Sequence, residues 1–214
     1  MDTGIDRLMV ALILTDVTLL AASRIKTAIR LAALQGVLVG IVAALAPAGP
    51  ITGRALFLAA AGFSVRGVLF PWLLLRAKRR AGVREELAPL VSQGASVLLG
   101  IAMLGGSMAL GLRLPLRGQA ASGLVVPAAL FTIFTGVFLV IARRKALTQC
   151  LGYLVLENGI YSFGVAAVGE VPALVELGAL LDLFVAVLVM SVAMYRLTEA
   201  FDHMDTDQLT SLRG

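Results

Sequence analysis

Cysteine and histidine are almost missing from this chain, with Cys150 and His203 the single representatives of each. A disulfide within the chain is therefore excluded. An iron–sulfur cluster usually takes four cysteine ligands and a structural zinc takes four Cys or His, so the chain cannot build either alone. If the protein takes part in redox chemistry, the cofactor belongs to a partner. His203 stands in a polar stretch near the C-terminus, where a surface histidine is the plain reading. Phosphate-cradling glycine loops, nucleophile elbows and zinc motifs are missing too, and no catalytic residue or metal ligand stands out.

Charge is the second scarcity. Only 14% of the 214 residues are charged, against 59% hydrophobic, and the mean hydropathy is +0.96. An ordinary soluble domain does not carry so much apolar surface with so little charge to cover it. The formal charge of +5 does not indicate nucleic acid, because the basic residues are confined to short segments between apolar runs, as in membrane proteins. A basic segment ahead of the first apolar run is also lacking. Asp2 and Asp6 occupy its place and Asp16 interrupts the run, so the first segment reads as a retained helix rather than a secretory signal.

What the chain has in abundance is long apolar runs. Seven stretches, 5–22, 31–47, 55–75, 91–111, 122–141, 146–168 and 172–197, approach or meet the ~17–25 residues of a spanning helix. Lipid offers no partners to free backbone groups, so each must be helical. The expected fold is all-α, a polytopic membrane helix bundle of about seven spans. Basic residues crowd the first, third and fifth connections, with Arg24, Lys26 and Arg30, then the stretch "RAKRRAGVR" from Arg76, then Arg143, Arg144 and Lys145. The alternate connections hold only Arg54, Arg113 and Arg117, with Arg7 near the N-terminus. The positive-inside rule then places the N-terminus outside and the C-terminus in the cytoplasm. The polar tail, 198–214, lies on the cytoplasmic side.

Five ionisable side chains fall inside these runs: Asp16, Arg66, Glu157, Glu176 and Asp182. A charge at the bilayer centre costs at least about 2.5–3.5 kcal/mol, so each needs a partner, a hydrated cavity or a proton. With a rise of ~1.5 Å per residue, Glu157 lies roughly 16 Å from Ala146, near the midplane, and Arg66 and Asp182 lie at similar depth. Glu176 is about 9 Å nearer the outside than Asp182, on an adjoining helix face. Two readings compete. In one, the acids pass protons along hydrated helices, with both protonation states within reach. In the other, Arg66 pairs with one acid, and Asn158 makes interhelical contacts that position helices. Thr15 and Thr18 offer Asp16 a local hydrogen-bonding environment. Pro71 is expected to kink the third helix, and Gly152, Gly159 and Gly164 to allow close helix packing.

Several stretches carry a resemblance. "GYLVLENGIY" with "VPALVELGALLDLFVAVLVM", "FSVRGVLFPWLLLRAKRR" with its basic residue before a proline (Arg66 and Pro71), and the closing "DQLTSLRG" together resemble hydrogenase-4 component E. That family supplies a membrane subunit to formate hydrogenlyase-type and other complex-I-like complexes. Its last three helices are similar to the K-type subunit of complex I (chain 4L) and to the C-type subunit of Mrp sodium/proton antiporters. The resemblance implies four N-terminal transmembrane helices over 1–115 and a K-like three-helix module over 120–197. In the K-type subunit, acids on the second and third helices join a polar axis through the membrane. Glu157 stands on the matching second helix, and Glu176 and Asp182 on the third. Aligned on Asn158, Glu157 falls about one helical turn from the usual acid.

The resemblance also implies a non-catalytic subunit of an oxidoreductase complex in a bacterial or archaeal inner membrane, coupling a partner's redox step to ion movement. The chain itself would hold no cofactor. Nickel–iron and iron–sulfur centres would sit in a soluble redox arm, and the membrane neighbours would be antiporter-like subunits and a quinone- or hydrogenase-proximal one. The alternatives are a scaffold that joins those neighbours without moving ions, or a subunit of an Mrp-like antiporter. A stand-alone carrier is disfavoured, because no inverted repeat or broken-helix pair is visible.

Overall fold

The computed structural model describes residues 2–45, 64–80, 91–111, 113–114, 123–143 and 146–168. Every regular element among them is a helix: α1 (Asp2–Ala21), α2 (Ile25–Leu45), a π-helical turn (Val65–Leu69) leading into α3 (Phe70–Arg80), α4 (Gln93–Gly111), α5 (Val125–Ala142) and α6 (Ala146–Val168). The run expected at 172–197, with Glu176 and Asp182, and the tail at 198–214 lie outside the described residues. Among the described residues, three helices are long and apolar enough to cross a membrane, over Ile25–Val42, Gln93–Gly111 and Val125–Ala142. The protein is thus a helical membrane protein. α6 matches its expected span at both ends, and α4 and α5 match within three residues.

Two helices run past their apolar stretches. α2 starts at Ile25 rather than 31, and α3 runs on to Arg80. Arg24, Lys26, Arg30, Arg76 and Arg79 are all exposed, so their charges stay solvated while the backbone remains helical. Just ahead of Pro71, where a kink is expected, the helix passes through the π turn. Proline lacks the N–H that would bond back to residue 67, and a widened turn is one way a helix absorbs such a break.

α5 and α6 form the tightest pair. A side chain at Gly136 would strike Leu156, one at Gly152 would come within 2.7 Å of the Val140 nitrogen, and one at Gly159 within 2.6 Å of the Ile133 nitrogen. These three pairs describe one antiparallel register, in which the backbones approach closely because no Cβ intervenes. α1 packs against α2, α4 and α5, while α2 also packs against the π turn, α3 and α6. One apolar cluster gathers Leu19, Ile25, Leu74, Leu139, Leu147 and Leu151 toward the end where Arg24 and Arg143 lie. A second gathers Ile5, Met9, Val42, Val125 and Tyr161 toward the other end.

α4 is peripheral. Ser92 caps its start by accepting the Ala95 N–H at 3.3 Å. Its buried residues are the small Ser96, Gly100 and Ser107, whereas Leu98, Ile101 and Leu110 are exposed. A narrow stripe of small residues faces the bundle, and the apolar remainder is suited to lipid.

Candidate functional site

Arg66 and Glu157 meet inside the bundle. The Arg66 Nη2 and Nε groups donate to Glu157 Oε1 at 3.0 and 3.2 Å. Both side chains are buried, with 9% of Arg66 and 1% of Glu157 exposed. The guanidinium also stacks on the Tyr161 ring, 4.3 Å from its centroid. Tyr161 lies one helical turn beyond Glu157 on α6, so a single helix offers the cation both a carboxylate and an aromatic face. The π turn carries Arg66 against α2 at Gly36, where an added Cβ would lie 3.1–3.3 Å from Arg66 Cβ, carbonyl carbon and oxygen. Of the expected ionisable residues, Arg66 and Glu157 are brought into direct contact. Asn158 lines a small cavity of about 10 Å³ with Arg66, Pro71 and Leu74, which is space for one water at most.

Asp16 sits at a separate polar site and is fully buried. Gln35 Nε2 of α2 donates to its Oδ1 at 2.7 Å, and Thr132 Oγ1 of α5 donates to its Oδ2 at 2.6 Å. The Thr132 hydroxyl also lies 2.9 Å from the Ala128 carbonyl of its own helix. Thr15 and Thr18, expected to serve Asp16, instead donate to the Leu12 and Leu14 carbonyls at 2.6 Å, the back-bonding usual for helical threonines. The carboxylate's partners thus come from two other helices.

The two sites are joined by α2. Gln35 bonds Asp16, and the next residue, Gly36, abuts Arg66. In the register of α5 and α6, Glu157 stands level with Thr135, one turn or about 4.5 Å along the axis from Thr132. Asp16 and Glu157 therefore share nearly one depth in the bundle. The Thr135, Ser162 and Thr148 hydroxyls and Gln35 Oε1 are buried without a hydrogen-bond partner among the described residues.

Gln35, Thr132, Tyr161 and Arg143 are residues that sequence reasoning missed as site members. Gln35 had a signal, being the one strongly polar side chain between Arg30 and Leu45. Arg143, expected in an exposed basic connection, is 1% exposed, and its Nη2 donates to the Leu20 carbonyl at 3.5 Å. It covers one of the carbonyls left over at the end of α1, where a cation suits the helix dipole. Burial lowers its pKa from the ordinary guanidinium value. Glu176 and Asp182 lie outside the described residues. No group of three or more His, Cys, Asp or Glu side chains that could hold a metal occurs among the described residues.

No family model matches the chain, and no solved structure matches it. Among curated proteins, it is 30% identical to the uncharacterized protein Rv0085 of Mycobacterium tuberculosis over 203 residues, 94% of this chain and 92% of that one. It is 29% identical over 102 residues to hydrogenase-4 component E of Escherichia coli K12, a stretch covering 47% of each chain. The Shigella flexneri hydrogenase-4 component E matches to the same extent.

Proposed function

The chain belongs to the same family as the Mycobacterium tuberculosis protein Rv0085, and from its fold and buried acids we propose a membrane subunit of a complex-I-like, energy-converting complex of the hydrogenase-4 type. The half-length similarity to hydrogenase-4 component E supports the kind of assembly. In this reading seven helices cross a bacterial or archaeal inner membrane, with the N-terminus outside and the C-terminus cytoplasmic. Glu157, Glu176, Asp182 and Asp16 contribute to a proton or ion path, Arg66 is the charge partner of Glu157, and Asn158 is a polar helix contact. The redox chemistry, with its nickel–iron and iron–sulfur centres, belongs to a soluble arm. Antiporter-like and quinone- or hydrogenase-proximal subunits are the membrane neighbours.

The observation that carries the path is the Arg66–Glu157 pair. Two opposite charges buried at one point of an apolar bundle are costly to desolvate, and intramembrane ionisable groups are functional by default. Their mutual attraction sets the field through which a proton or cation passes. A second reading is favoured by the stacking of Arg66 on Tyr161, which fits a scaffold that clamps the π turn onto α2 and α6. Purification in mild detergent tests the assembly. The subunit brings down hydrophobic antiporter-like chains and cysteine-rich, iron-containing ones, whereas a carrier runs alone.

A further inference from the structure

We propose that Asp16, Gln35 and Thr132 form a proton-holding site, in which the Thr132 hydroxyl reverses its hydrogen bond as Asp16 gains or loses a proton. The inference deepens the ion-path reading and rests on it. It divides the work between two acids: Glu157 is a fixed charge held by Arg66, and Asp16 is the group that changes charge.

Among the described residues, the groups that hydrogen-bond Asp16 are neutral. α1 packs against α2, α4 and α5, and α4 and α5 carry no ionisable residue. On α2, Lys26 and Arg30 are exposed and lie nine and five residues before Gln35. On α1 itself the other ionisable groups are Asp2, Asp6 and Arg7, nine or more residues away. Arg143 meets α1 at the Leu20 carbonyl, four residues beyond Asp16. The carboxyl is fully buried, and a buried carboxylate with only neutral partners is held far less firmly than one facing a guanidinium.

In both protonation states the Asp16 carboxyl and the Thr132 hydroxyl nevertheless keep hydrogen-bond partners. When Asp16 is ionised, the single Thr132 proton goes to Oδ2, across the 2.6 Å contact, a length typical of O–H···O⁻ bonds. When a proton arrives on Oδ2, a new O–H bond forms there and donates back to Thr132 Oγ1. The Thr132 proton then swings to the Ala128 carbonyl, already 2.9 Å away, whose oxygen has a second lone pair for it. Gln35 Nε2 continues to donate to Oδ1 in both states. One proton enters, one hydroxyl rotates, and no other bond is exchanged.

Infrared difference spectroscopy of the full chain in lipid nanodiscs, between high and low pH, reads this directly. In the difference between wild type and Asp16→Asn, which cancels the other twelve Asp and Glu residues, a carboxylic-acid C=O band grows on acidification, and it persists when both proteins carry Glu157→Gln. Thr132→Val and Gln35→Leu each shift the band to higher frequency by removing a bond to the acid, and Thr132→Ser, which keeps the hydroxyl, leaves it near the wild-type position. A difference band that ignores Thr132→Val or that sodium abolishes at constant pH overturns the assignment, as does the lack of any wild-type minus Asp16→Asn band while the protein stays folded. The band behaving as described beside wild-type ion uptake by an Asp16→Asn complex supports the site and removes Asp16 from the path, separating the two claims.

Discussion

Arg66 and Glu157 are 91 residues apart in the chain and 3.0 Å apart in the bundle. Their contact ties the π turn, α2 and α6 into one unit around a buried charge pair. A charge pair of this kind is costly to desolvate, and its loss on one side leaves the other charge uncompensated.

Removing one partner should therefore cost far more than removing both. Arg66→Met or Glu157→Leu alone should destabilise the protein by about 3–5 kcal/mol, while the double variant recovers much of the loss. Thermal unfolding in detergent measures this. Additive losses in the double variant would show that the two charges do not depend on each other.

The close register of α5 and α6 makes a second prediction. Gly159→Leu forces a side chain toward the Ile133 nitrogen, 2.6 Å from its Cβ, and should cost at least the about 1–3 kcal/mol of overpacking. Gly105→Leu on α4 meets nothing within 4 Å and should stay within about 0.5 kcal/mol of wild type. The same melting experiment compares them, and equal effects would contradict the packing.

Orientation is tested with thiol chemistry. In an otherwise wild-type chain, where Cys150 is buried, Ala81→Cys should react with an impermeant maleimide in inverted vesicles only. Labelling in cells with a permeabilised outer membrane would reverse the topology.

How much of this was legible in sequence differs from residue to residue. Spanning helices follow from run length, because lipid forces the backbone to bond to itself, and the span of α6 was readable to both ends. The helix extensions were not, because a solvated charge neither favours nor ends a helix strongly. Arg66 and Glu157 were visible as costly residues at one depth, yet depth says nothing about rotation, so the pairing needed tertiary structure. For Asp16 the local threonines were the wrong partners. Helical threonines satisfy their own i−4 or i−3 carbonyls, and among the described residues a distant pair, Gln35 and Thr132, faces the carboxylate. Arg143 was hidden because its sequence neighbours are basic and resemble any solvated connection.

The central claim, that these buried acids serve ion movement, is met most directly by uptake measurements. The whole complex carrying Glu157→Gln, and a second carrying Arg66→Gln with Glu157→Gln to remove the buried cation, would be reconstituted in vesicles. Proton or sodium uptake is then followed beside electron-transfer rate and assembly on a native gel. Both complexes should assemble and transfer electrons while uptake falls severely. Wild-type uptake by a fully assembled Glu157→Gln complex would contradict the account and leave the pair as a structural clamp.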